Sequence, residues 1–250
     1  MYLLAELVKR DFTLRFAGSA LGIAWAVLQP LSLVILYWFV FTLVIPQGGR
    51  LASGVVDSYA LFLISGLLPW IGFNEGIVRG TTSILENAPL VRKLTFRSEV
   101  LVLVPNVSAI LFELIGLALF GTYLLITGKA LWSLWVLPFA IAIQLILQTG
   151  LAWILATVHL VFRDVMQVLG FLLSIVFFLS PILYSVPPAY EKFFRWNPLT
   201  PLLGLFRSAM LSTPLPPVAS IVLLVAFAGA VWAAGLAAFR RMQPSLADLI

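Results

Sequence analysis

The chain has 250 residues, 62% of them hydrophobic and only 10% charged, with a mean hydropathy of +1.10. Soluble domains carry about a quarter charged residues, so this composition excludes a water-soluble fold and marks a polytopic membrane protein. Cysteine is absent and histidine occurs once, which excludes disulfides, thiolate metal sites and a histidine cluster; in a membrane protein the net charge of +5 marks a cytoplasmic side rather than a nucleic-acid partner.

Residues 1–17 open the chain as an amphipathic interfacial helix. Over 2–16 the helical period puts Glu6, Lys9, Arg10 and Thr13 on one face, and Leu4, Val8, Phe12 and Phe16 on the other. Such a helix lies in the membrane surface. Asp11 and Arg15, one turn apart, fall within its apolar arc; they either face protein or snorkel to headgroups. No cleavable signal peptide is visible, because acidic residues interrupt the amphipathic start. Gly18 and Gly22 have small-xxx-small spacing, which permits close helix packing.

Apolar runs long enough to cross about 30 Å of hydrocarbon follow. They lie near 21–45, 58–78, 100–127, 131–161, 165–184 and 217–239, so the sequence predicts an all-α protein with six transmembrane helices and both termini on one side. With that side cytoplasmic, ten basic residues lie inside: Lys9, Arg10, Arg15, Arg79, Arg92, Lys93, Arg97, Arg163, Arg240 and Arg241. Five lie outside: Arg50, Lys129, Lys192, Arg195 and Arg207. The excess puts both termini in the cytoplasm. A short outer loop, Pro46 to Asp57, joins the first two spans.

The second span is expected to break up at its inner end, where Pro69, Gly72, Asn74, Glu75 and Gly76 cluster. Residues 84–99 then form a cytoplasmic segment in which Pro89 begins a short helix decorated by Arg92, Lys93 and Arg97. On charge alone it reads rather as a solvated basic loop anchored to anionic lipid. Glu113 lies deep in the third span, and Gln144 and Gln148 share one face of the fourth. These groups either hydrogen-bond between helices or line a polar path. Between Ser180 and Leu211, five prolines forbid one continuous helix, yet Phe193, Phe194, Trp196 and several leucines are too apolar for a free loop. Short helices on or dipping into the outer leaflet fit both facts, as an anchor or as a lid.

Several chemistries are missing. Gly128-Lys129-Ala130 lacks the upstream glycine and the Ser/Thr of a phosphate-binding loop. His159 has no convincing serine partner for a catalytic triad and reads as a helix-end interfacial residue. The Asn106-Val107-Ser108 triplet lies within a span, so it is no glycosylation site. The chain reads as one domain over 1–250.

Four stretches together resemble the permease subunit of type-2 ABC exporters, in the branch that exports O-antigen, capsule or teichoic-acid polysaccharides. They are Leu7-Val8-Lys9-Arg10-Asp11 with Gly18-Ser19, Leu21-Gly22, Trp25 and Gln29-Pro30; Leu90-Val91-Arg92-Lys93 with Phe96 and Glu99; Phe162-Arg163-Asp164-Val165 with Ser180-Pro181-Ile182-Leu183-Tyr184; and Asn197-Pro198 with Arg207. After Phe96 the family usually has proline, whereas Arg97-Ser98 stand here.

The resemblance implies a homodimer with two copies of a separate ABC ATPase, which binds ATP and Mg, while this chain binds no cofactor. It implies a bacterial cytoplasmic (inner) membrane location, a lipid-linked glycan substrate, a coupling helix in 84–99 and re-entrant outer helices in 185–213. ATPase movement would enter through Lys9, Arg10, Asp11, Arg15, Glu86, Arg92, Lys93 and Arg97. Glycans have C–H faces and few charges, so aromatics and amides suit their path; Tyr37, Tyr59, Phe62, Glu113, Gln144 and Gln148 are the candidates. Tyr184, Phe194, Trp196, Asn197 and Arg207 are the candidate outer gate. Two rival readings are the same architecture exporting a drug or lipid, and a polytopic enzyme acting on a lipid-linked substrate.

Overall fold

In lipid every backbone donor must find its acceptor within its own segment, so long apolar runs become helices. The computed structural model describes residues 2–15, 18–40, 43, 59–93, 98–129, 133–186 and 188–243. Its helices are α1 (Tyr2–Leu14), α2 (Trp25–Phe39), α3 (Tyr59–Glu86), α4 (Ala88–Lys93), α5 (Glu99–Ile126), α6 (Leu137–Val161), α7 (Val165–Leu179), α8 (Glu191–Phe194), α9 (Leu199–Leu211) and α10 (Val218–Met242), and no strand occurs among the described residues. A 3₁₀ turn at Leu134–Val136 leads into α6. Four helical stretches are long and apolar enough to cross a membrane: α3, α5, α10, and α6 with its leading turn. Within the described residues α2 and α7 reach 15 residues each, about 22 Å, short of a full crossing.

The centre is built by α3, α5 and α6, with α9 packed against α3 and α6 near one end. Along the chain's most extensive helix pair, α10 crosses α6. The crossing is close because Gly150 and Gly235 carry no side chain. A Cβ on Gly235 would lie 2.2 Å from the Gly150 carbonyl oxygen, and one on Gly150 2.6 Å from Trp232 Cα. Gly235→Leu is therefore expected to push α10 off α6 and destabilise the protein by about 2–3 kcal/mol. A thermal melt of purified protein in detergent checks this; an unchanged midpoint would mean α10 shifts outward freely.

Three expectations change. The second span does not break at its inner end: α3 runs unbroken for 28 residues through Pro69, Gly72, Asn74, Glu75 and Gly76. Its glycines make room for neighbouring side chains and do not unwind the backbone. The fifth apolar run ends as a helix at Leu179, short of residue 184, because Ser180 precedes Pro181 and takes an extended conformation (ψ 144°). Gly18 and Gly22 are not a packing motif. Both have positive φ, +80° and +50°, and no described residue lies within 4 Å of where a Cβ would stand, so they turn the chain between α1 and α2. Arg97, the Pro46–Asp57 loop and Arg50 lie outside the described residues, as do the side chains of Arg92 and Lys93.

Candidate functional site

Polar side chains gather in three places along the bundle. At one end, α1 lies against the ends of α3 and α5. Val8 is buried there, while Glu6, Lys9, Arg10 and Thr13 face outward as the helical period requires. The two charges on the apolar arc do not pair with each other. Arg15 grips Glu75 of α3 through both guanidinium nitrogens, with Nη2–Oε2 at 2.9 Å, and lies over the Phe112 ring at 4.0 Å. Arg79 of α3 donates to Asp11 at 2.7 Å and reaches back to Glu75 at 3.5 Å. The alternating chain Asp11–Arg79–Glu75–Arg15 is mostly covered, which screens it less than a surface pair. Arg10 and Asp11 also line a small cleft against Glu86 and Asn87, where α3 hands over to α4. Pro89 sits in the first turn of α4, as its missing N–H allows.

The same end holds a second tie. Arg240, near the end of α10, reaches Glu99 at 3.3 Å, and the Trp153 indole N–H donates to the Glu99 carbonyl at 3.2 Å. The first helix and the end of the last therefore meet the same end of α5.

The second place is the interior. Gly72, Gly76 and Gly80 recur every four residues and make a groove along α3. Into it press Glu113 and Asn106 from α5, and Gln148 and Ala152 from α6. The Gln144 amide donates to Glu113, and the Gln148 amide donates to the Asn106 carbonyl at 3.1 Å. Glu113, Gln144, Gln148 and Asn106 are all buried. These side chains thus tie α3, α5 and α6 together inside one chain. His159 is likewise buried in the last turn of α6, rather than facing an interface.

On the opposite face of α3, Trp70, Asn74 and Val78 line a groove with Ser174, Phe177 and Phe178 of α7. Trp70 and Phe177 stand 5.5 Å apart, centroid to centroid. No expectation from the sequence covered this groove. Its signal was the four-residue spacing of Trp70, Asn74 and Val78, out of phase with the glycines.

The third place is the far end, where the chain leaves α7 and reaches α9. Tyr59, the first residue of α3, donates its hydroxyl to the Leu183 carbonyl. Arg207 of α9 donates to the carbonyls of Pro181 and Ile182, at 2.6 and 3.2 Å, and stacks 3.6 Å over Phe62. Asn197 donates to the Leu179 carbonyl and accepts from the Leu199 N–H at 2.9 Å, so it joins the end of α7 to the start of α9. Tyr184 donates to the Phe178 carbonyl and meets Phe194 edge-on. Trp196 is almost fully exposed, and Tyr37 packs half-buried against the main core. Most of α9 is buried, so this part of the 185–213 segment is packed core and not a loose cover.

Long apolar helices, internal polar ties and a charge-linked surface helix at one end define a helical integral membrane protein. A family model described as ABC-2 type transporter matches residues 2–211, and the chain belongs to that family. A Myxococcus xanthus protein named O-antigen export system permease protein RfbA is 28% identical over 258 residues, covering 99% of this chain and 95% of its own length. A Klebsiella pneumoniae protein of the same name is 27% identical over 254 residues, with the same coverage. An Escherichia coli polysialic acid transport protein, KpsM, is 26% identical over 246 residues, covering 95% of this chain and 92% of its own length. The family and these names are those of transporters, so the chain is a transport protein and not an enzyme.

Proposed function

We propose that this chain is the membrane permease of an ATP-driven exporter that passes a lipid-linked polysaccharide out of the cytoplasm. Two copies assemble with two copies of an ABC ATPase; ATP and Mg belong to that partner, and this chain carries no cofactor of its own. The O-antigen and polysialic acid relatives, matched over nearly the whole chain, support the cargo class. In this reading six segments cross the inner membrane, including α2 and α7 with their flanks. The α1 end, with its basic residues, is cytoplasmic, and 185–213 forms the re-entrant outer segment. Lys9, Arg10, Glu86 and the α4 region with Arg92, Lys93 and Arg97 receive the ATPase.

One observation carries the mechanism: α3 is an unbroken rod of about 42 Å, held by charge pairs at one end and bound to the Leu183 turn at the other. A push on α1 enters α3 through Asp11 and Arg15. It leaves at Tyr59 and Phe62, beside the chain that Arg207, Asn197, Tyr184, Phe194 and Trp196 shape into an outer gate. The polysaccharide runs along the α3–α7 face with Tyr37 and Tyr59, where aromatic rings and amides suit sugar C–H faces and hydroxyls. Glu113, Gln144 and Gln148 serve this path from behind, by keeping α3 straight.

Reconstitution in proteoliposomes with and without the ATPase tests the assignment. Glycan export is expected only with ATP and both chains present. Export that continued unchanged without the ATPase, or a lipid substrate modified by the purified chain alone, would sink it.

A further inference from the structure

At the α8–α9 end the structure holds a buried cation that forms no ion pair among the described residues. Arg207 is 8% exposed, and no carboxylate pairs with it among the described residues. Its Nε–H is buried without a partner among the described residues, and so is the hydroxyl of Thr200, about two helical turns earlier on α9. Both residues line a cleft of about 470 Å³ whose wall also carries the hydroxyls of Ser185 and Ser220 and the ring of Phe62. Two charged residues complete it: Arg195 adds a second cation and Glu191 an anion, both exposed on α8 and just after it. An unpaired guanidinium with an orphan donor beside hydroxyl groups suits a phosphate oxygen.

The cleft does not stand alone. Phe194 lines it and also lines a second, almost wholly apolar cavity of about 540 Å³ along the seam between α6 and α7. That seam runs from Leu179 at the end of α7 back to Leu169, past Leu172 and Val176. At 1.5 Å per residue this is about 15 Å, half of a hydrocarbon core of about 30 Å. The paired cavities therefore have the shape and chemistry of one leaflet's lipid: a phosphate-sized cationic head site, and an apolar trough one leaflet deep.

We propose that this double cavity is a binding site for an anionic phospholipid of the surrounding membrane, with its phosphate on Arg207 and Thr200 and one acyl chain in the α6–α7 seam. The bound lipid neutralises Arg207 and so reinforces the turn at 181–183 that this arginine holds. The site does not depend on what cargo the protein moves.

The test uses the full-length chain, delipidated in detergent and titrated with dioleoyl-phosphatidylglycerol or dioleoyl-phosphatidylcholine, with bound lipid counted by native mass spectrometry. Wild type is expected to hold one phosphatidylglycerol per chain at least about tenfold more tightly than phosphatidylcholine. Thr200→Val removes a hydroxyl with no partner among the described residues and is expected to weaken phosphatidylglycerol about three- to tenfold. Leu172→Trp fills the trough from an exposed position, away from the head site, and is expected to cost about tenfold or more. Equal affinity for the two lipids, or binding unchanged by either substitution, overturns the proposal. So does full displacement of phosphatidylglycerol by an equal amount of a polyprenyl diphosphate, which would give the cavity to the cargo's carrier, or by millimolar inorganic phosphate, which would make it a free-anion site.

Discussion

Replacing Gly76 with leucine should leave almost no folded protein to purify. A Cβ at that position would lie 2.7 Å from the Gln148 amide nitrogen and 2.9 Å from the Asn106 side-chain oxygen Oδ1. At Gly72 it would lie 2.0 Å from a Glu113 carboxylate oxygen. The remainder of a leucine must displace side chains that are hydrogen-bonded and out of reach of water. The cost combines overpacking with orphaned buried polar groups, about 3 kcal/mol or more, a large share of any single domain's stability. Gly229→Leu on α10 is the control, because no described residue lies within 4 Å of its Cβ position. Folded yield by size-exclusion chromatography should collapse for Gly76→Leu and Gly72→Leu and hold for Gly229→Leu. Normal yield from both groove variants would mean that α3 does not pack on α5 and α6 through these glycines.

Glu75→Gln should uncouple the machine while leaving it assembled. The substitution keeps the side chain's size but strips Arg15 of its carboxylate, and leaves Arg79 with Asp11 alone. These groups are partly covered and not deeply buried, so the stability loss is expected to be about 1–2 kcal/mol, compatible with folding. The larger effect falls on force transfer from α1 to α3. In proteoliposomes with the ATPase, export per ATP hydrolysed is expected to drop about tenfold or more, the equivalent of roughly 1.4 kcal/mol of lost coupling. Exchanging one pair, Asp11→Arg with Arg79→Asp, should harm export less than either single change, since it rebuilds that link with the charges reversed. Coupling that survives Glu75→Gln and Asp11→Asn/Arg15→Gln would reduce α1 to a membrane anchor.

Some of this machinery could be read from residue order, and the limits have physical causes. The charged and apolar faces of α1 follow from a period of 3.6, which depends on nothing outside the helix. Asp11 and Arg15 stood out as charges on the wrong face. Their partners did not, because Glu75 and Arg79 are 60 and 68 residues away and look like ordinary polar breaks in an apolar run. The glycines of α3 were visible but misread. Glycine both weakens a helix and leaves space beside it, and only the neighbour decides which property counts. Glu113, Gln144 and Gln148 stood out as polar intruders with two open readings, an interhelical tie or a polar path, and the hydrogen bonds between α5 and α6 show the tie. The far end was the least legible: proline positions forbade a long helix, but nothing local revealed that α9 would be buried or that Arg207 would hold the 181–183 carbonyls.

By itself the sequence determined a membrane protein made of helices, where its apolar segments lie, which end carries the positive charge, and the family through motifs spread along the chain. These properties are sums over neighbouring residues, since transfer from water to lipid is roughly additive in apolar area and helix faces repeat locally. The tertiary structure alone decided which charges meet, that α3 is a continuous rod and that a buried arginine lines a cleft adjoining an apolar trough. Those outcomes turn on contacts a few ångströms long between segments far apart in the chain, where a side chain's worth depends on the partner it faces and not on its own identity.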